Sequence, residues 1–268
     1  LEAARAQARE HRGAAAAPGA PIVVTYRLDG VTNPTNTNGE TFYVRITTYQ
    51  GTDGTTNPVD DAVVAASTTR PINLDGVMPE SLVFCTGETI PNEATGVALP
   101  DCDNATSGDI SFDQPFSPDD TAVASSQMAA STNAGSGYAI TYQASTLNNG
   151  TTDITPINQV ASPGDPAISE PGQAQFGLNL AQNTTPSVGA GIYSPALPGG
   201  TFNAAIDANY STADQFAFLP DTPTVVATSS NDVSDLQTYT VSYIANVSGS
   251  QAAGTYTTTI TYVCTATF

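Results

Sequence analysis

Lysine is absent: the basic complement is six arginines and one histidine, set against 25 acidic residues in 268. That absence excludes a Schiff-base lysine, the lysine of a phosphate-binding loop and the lysine of a kinase site. It also excludes an internal Lys–Asn isopeptide crosslink and the lysine acceptor of a sortase-built pilus. Leu197-Pro198-Gly199-Gly200-Thr201 echoes a sorting motif only superficially, in the wrong order and inside the chain. The single histidine, His11, lies in an Arg-rich terminal stretch, so a Ser–His–Asp or Cys–His pair has no base within a core. One histidine and three dispersed cysteines give no zinc set at catalytic spacing. The Gly135–Gly137 segment (GSG) lacks the strand–turn–helix context of a dinucleotide site. A carboxylate pair is the one catalytic device left, and such pairs arise readily among 25 acidic residues. The expectation is a protein that is not an enzyme and has no cofactor.

Positive charge is equally scarce. A net charge of −19 leaves no basic footprint for nucleic acid, and an anionic membrane surface would repel the chain. No apolar run approaches the roughly 18 residues of a membrane span. Leu1 opens a polar, Ala/Arg-rich stretch and not a signal peptide, so export would require a leader removed or lying upstream. Charged residues make up only 12%, and Thr, Asn, Ser, Gly and Pro take their place, as in exported β-proteins. An extracellular or cell-surface location is therefore expected.

Cysteine is limited to three residues. Cys85 and Cys102 enclose a short Pro/Asn/Asp/Gly-rich loop and form the expected disulfide, with Cys264 left over. Spacing alone leaves all three pairings open, and the odd thiol is either buried or linked to another subunit.

What is present is β-pattern. Residues 1–20 stand apart, with the helix formers LEAARAQAREHR followed by the hinge AAAAPGAP. Arg5, Arg9 and Arg12 make this arm locally positive, suited to an acidic neighbouring subunit. From Pro21 the period becomes two, in Ile22–Leu28 and Thr41–Tyr49, separated by a turn cluster. Further strands are expected at Ser81–Cys85, Asp109–Phe112, Ala122–Ala129, Tyr138–Gln143, Ala174–Leu180, Gln215–Leu219 and Val225–Ala227. Thr238–Val247 and Thr255–Phe268 read as a long hairpin with one buried, tyrosine-bearing face and one threonine face. In the second run Tyr256, Ile260, Tyr262, Cys264, Ala266 and Phe268 share the inward side. The fold class is all-β, an antiparallel β-sandwich or sandwiches with a short N-terminal arm. The division expected is an arm over 1–20, a β-unit over 21–76 and a sandwich over 77–268.

Calcium is the one metal to consider, at Asp60/Asp61, Asp101/Asp103 and Asp119/Asp120, which sit in turn-rich segments. None has the spacing of a twelve-residue calcium loop, so no metal site is assigned. N-glycosylation sequons occur at Asn104, Asn149, Asn183, Asn209 and Asn246.

Several stretches carry a resemblance: NPTNTNGETFYVRITTY (Asn33–Tyr49), ESLVFCTG (Glu80–Gly87), SQMAASTNAGSGYAITYQ (Ser126–Gln143), QFGLNLAQNTTPSVGA (Gln175–Ala190) and the closing Tyr239–Phe268. Together they resemble uncharacterised, predicted-secreted β-rich surface proteins of small-genome candidate-phylum bacteria. The resemblance implies export and cell-surface residence, and it supplies no catalytic residues.

Lacking a catalytic set, the chain reads as a structural subunit of an extracellular filament, pilus-like fibre or surface layer, a polymer of itself. Assembly would proceed non-covalently or by disulfide, through exposed sheet edges. Ile22, Val23, Val24, Thr25 and Tyr26 form the first candidate assembly strand; the C-terminal run bearing Tyr256, Ile260, Tyr262 and Phe268 is the second. The alternative is an adhesin or carbohydrate-binding module that takes a host or cell-surface glycan on a tyrosine-lined groove, with Tyr49, Tyr142, Tyr193 and Tyr210 as contributors.

Overall fold

The computed structural model describes residues 8–11, 25–28, 38–50, 55–94, 96–229 and 232–268, the first two stretches as backbone pairing only. The chain divides into two compact units, Leu1–Val77 and Met78–Phe268.

In the first unit, β1 (Ala8–His11) and β2 (Thr25–Leu28) pair antiparallel, with Ala8 opposite Leu28 and His11 opposite Thr25. Residues taken for helix formers thus enter a strand, because pairing overrides intrinsic propensity. A second ribbon joins β3 (Thr41–Tyr49) to β4 (Pro58–Ser67). Its register sets Phe42, Val44 and Ile46 opposite Ala66, Val64 and Ala62 on one face, and Tyr43 and Arg45 opposite Ala65 and Val63 on the other. β4 escaped the sequence reading because it opens on proline and carries Asp60-Asp61.

The second unit is a sandwich. Its larger sheet runs β10 (Ile192–Tyr193), β14 (Ser234–Asn246), β6 (Ala122–Thr132), β5 (Leu82–Gly87), and β9 (Gln175–Asn179) shares the β10 side of β14. The other sheet runs β11 (Ala204–Ile206), β13 (Thr224–Ser229), β7 (Tyr138–Gln143), β15 (Thr261–Ala266). A short pair, β8 (Ala167–Ile168) and β12 (Gln215–Phe216), stands beside them. All strand pairings named here are antiparallel.

The two C-terminal strands do not form a hairpin. β14 pairs with β6, whereas β15 crosses to the other sheet and pairs with β7, Tyr262 opposite Tyr142 and Cys264 opposite Ile140. Tyrosines that alternation placed on one face therefore meet across the core. β14 is also buried on both faces over Gln237–Asn246, so the expected polar face is covered as well. Its Ser242 and Asn246 side chains bond to Asn183, and to Ser169 and Gln175. Asp109–Phe112, expected as a strand, is irregular loop.

The core is aromatic and aliphatic. Phe218 packs edge-on to Phe176 with centroids 4.7 Å apart, and stacks on Tyr142 at 5.5 Å. Met128, Ile140, Ile154, Ile157, Leu178 and Leu180 are fully buried around them. At the β6–β7 turn Gly137 adopts φ +73°, and an added Cβ would lie 2.2 Å from the Ser229 carbonyl oxygen, so only glycine fits.

Candidate functional site

Three structural features bear on function: the tyrosine hydroxyls between the sheets, the β3–β4 ribbon, and an open cleft at one end of the sandwich.

Tyrosines bridge the sandwich in pairs. Tyr138 of β7 and Tyr239 of β14 share a hydroxyl hydrogen bond of 2.8 Å, and Tyr142 of β7 meets Tyr210 at 3.2 Å. Tyr142 Oη also accepts the Leu219 amide at 2.8 Å. Burial pushes these phenols up, Tyr138 to about 12. Tyr142 and Tyr210 are thus core residues with spent hydroxyls, which corrects their expected place in a surface groove. Tyr193 and Tyr49 are partly exposed, but Tyr193 donates to the Ala98 carbonyl at 3.2 Å and Tyr49 ends a strand of the other unit.

Cys85 and Cys102 are disulfide-bonded, tying β5 to a 3₁₀ turn at Cys102–Asn104. Cys264 is free and half-buried. Its thiol, inward on β15 beside Ile140, is pushed up to about 12 by burial.

The acidic pairs are engaged locally. Asp60 and Asp61 lie in β4 and not in a turn. Asp61 accepts from Arg45 Nε at 2.8 Å, Arg45 Nη2 at 2.9 Å and Thr47 Oγ1 at 2.8 Å. The Arg45 bond, then that of Thr47, hold its carboxyl below the usual range. Asp101 caps the 3₁₀ turn, taking the amides of Asp103 and Asn104. Asp120 accepts the Thr121 amide, and the Asp119 amide donates to Ser117. Two sequon asparagines, Asn183 and Asn246, are buried with their amides committed to hydrogen bonds, which removes them as glycan acceptors in the folded chain. Asn104 is exposed, though its amide donates to Asp101 at 2.7 Å.

Of the expected assembly residues, Arg5, Arg12, Ile22, Val23 and Val24 lie outside the described residues, and Arg9 is described only as backbone in β1. Thr25 and Tyr26 already pair with His11 and Glu10. In the C-terminal candidate, Tyr256, Ile260 and Tyr262 pack on the core, while Phe268 is 54% exposed and departs from the expected inward face. β15 ends its sheet, so among the described residues its second edge is unpaired.

The β3–β4 ribbon has the same property on both edges. Its faces carry exposed apolar side chains: Tyr43 and Val59 at 67%, Val64 at 59%, with Val44, Ile46 and Val63 also exposed. Spacing gave the β3 faces but not the partner strand that doubles their area.

The cleft, of about 1010 Å³, opens among β5, β6, β14, β15 and the loops over 108–118 and 247–258. Half-buried Phe112, Phe116 and Tyr256 line it together with the more deeply buried Phe176, Tyr243 and Ser126. Of these loop residues Tyr256 was singled out from sequence only as part of an assembly strand and Phe112 only as the end of an expected strand, because an irregular loop has no periodicity to betray which side chains converge.

Comparison with known proteins finds no matching family model, curated protein or solved structure.

Proposed function

We propose that the protein is a structural subunit of an extracellular filament, pilus-like fibre or surface layer that assembles non-covalently by adding strands between copies. The observation that carries this reading is the β3–β4 ribbon. A two-stranded sheet is marginal in water unless a third strand or a packed face supports it. This one leaves both edges unpaired among the described residues and exposes valine, isoleucine and tyrosine on its faces. Such edges pair readily with another chain. The same polypeptide supplies a complement, the edge of β15 that is unpaired among the described residues. A ribbon of one copy added to β15 of the next is a head-to-tail contact, which propagates into an open fibre.

A disulfide fits an oxidising compartment. Among the described residues, no helix is long and apolar enough to cross a membrane. Neither a cofactor nor catalysis forms part of the proposal.

Negative-stain microscopy and light scattering of the full chain test it. Fibres or sheets are expected from the native protein. Val64→Asp should abolish them without shifting the melting of the sandwich, since an exposed substitution changes stability by only about 0.5 kcal/mol. A native chain that stays monomeric at every concentration sinks the proposal, as does a Val64→Asp chain that polymerises normally.

A further inference from the structure

The cleft at the end of the sandwich contains a hydrogen-bonding capacity that the protein itself leaves open. Tyr243 of β14 bonds to Ser126 of β6 and to Tyr262 of β15, each at 2.8 Å. All three side chains line the cleft. Three hydroxyls possess three O–H donors, and two bonds among them use only two. Whichever way these bonds run, one of the three O–H groups, on Ser126, Tyr243 or Tyr262, has no acceptor among the described residues. Either hydroxyl of each bond can be the donor, so the three groups together offer one O–H and several lone pairs.

Aromatic rings complete the cleft. Phe116 packs edge-on to Phe112 at 5.1 Å and lies 6.3 Å from Tyr256. The Tyr256 ring is fixed in place, since its hydroxyl donates to the Ala252 carbonyl at 2.7 Å and accepts from Gln251 Nε2 at 2.9 Å. Charge is nearly absent: among the described residues Asp109 is the single charged group lining the cleft, and no cation lines it.

We infer that this cleft is a binding site for a neutral saccharide. A sugar ring pairs an apolar C–H face, suited to Phe116 and Tyr256, with hydroxyls that both donate and accept, suited to the Ser126–Tyr243–Tyr262 chain. An alkyl chain would leave the free O–H without a partner, a desolvation cost that a sugar hydroxyl removes. An anionic ligand would meet Asp109 with no compensating cation. The volume lies at the upper end of ordinary ligand clefts, roughly 300–1,000 Å³, and so admits more than one ring. The site lies within the sandwich and shares β15 with the proposed assembly, which takes the outer edge of that strand, while the cleft is lined in part by its Tyr262.

Titration of the full chain with maltotriose, cellotriose and triacetylchitotriose, followed by calorimetry and NMR, tests the assignment, with sialyllactose as the anionic control. Saturable binding of at least one neutral trisaccharide is expected, with none of the control. Phe116→Ala should weaken it about tenfold. Tyr262→Phe, which keeps the ring and removes one hydroxyl, should weaken it about three- to tenfold. Failure of all three sugars to bind overturns the inference, and so does binding that both variants leave intact. Resonances of Tyr243 and Tyr262 that move on self-association and not with sugar would give the cleft to a second copy and likewise overturn it.

Discussion

Asn179 and Asn183 illustrate how much of this fold is held by uncharged polar groups. Both are buried, and their amides bond reciprocally at 2.7 and 2.8 Å. Asn183 Oδ1 also accepts the Asp214 amide, while its Nδ2 lies against the Ala181 and Val188 carbonyls. Asp214 in turn accepts the Thr185 amide, the Thr184 hydroxyl and the Thr184 amide, which hold its carboxyl below the usual range. Asn183→Ala would strand several buried partners, each costing about 1–3 kcal/mol. A clear fall in the urea midpoint is expected, with an unchanged midpoint counting against the network. A second residue-scale outcome concerns pH. Burial raises Cys264 from 9.0 and Tyr138 from 10.0 to about 12 in the folded chain. The unfolded chain therefore loses these protons first, and stability falls as pH rises above about 9, from the thiol, and above about 10, from the phenol. Urea unfolding across alkaline pH should show the onset of that fall moving from near 9 to near 10 in Cys264→Ala.

Among the elements, β14 and β15 decide the architecture. Strict alternation in both runs suits a hairpin, yet the SGSQAAG connection leads from one sheet to the other. The Tyr243–Tyr262 bond consequently ties the two sheets together at their facing surfaces instead of lying within one ladder. At the other end of the chain order, β5 is an edge strand anchored covalently, by a disulfide between Cys85 and Cys102 at a sequence separation of 17. Closing a loop of that size restricts the unfolded chain by about 3 kcal/mol in the chain-entropy model. A Cys85→Ala/Cys102→Ala double variant should lose stability of that order in chemical denaturation while keeping its β-sheet circular dichroism. Unchanged stability would show that β5 is held by packing alone.

For the whole molecule the dominant quantity is net charge, −19 with six arginines. Copies of such a chain repel one another, and salt screens that repulsion over a Debye length of about 8–10 Å. If assembly rests on apolar faces and backbone edges, raising ionic strength should increase self-association. Sedimentation velocity at low and high salt checks this; association that weakens with salt would point to ion pairing between copies instead.

By itself the sequence determined the all-β class. The period of two, the turn residues and the low charge act locally, so Thr41–Tyr49 and Tyr138–Gln143 were legible to the residue. Only tertiary structure decided the rest, because alternation specifies which side of a strand is apolar and not which sheet or partner receives it. That is why β15 joined β7 and not β14, why Tyr142 and Tyr210 entered the core, and why β4 hid behind a proline and two aspartates. It is also why the cleft was invisible: alternation set Tyr256 and Tyr262 on one side, but the convergence of Phe112 and Phe116, from an irregular loop, on them and on Ser126 and Tyr243 depends on the packing of two sheets and leaves no periodic trace.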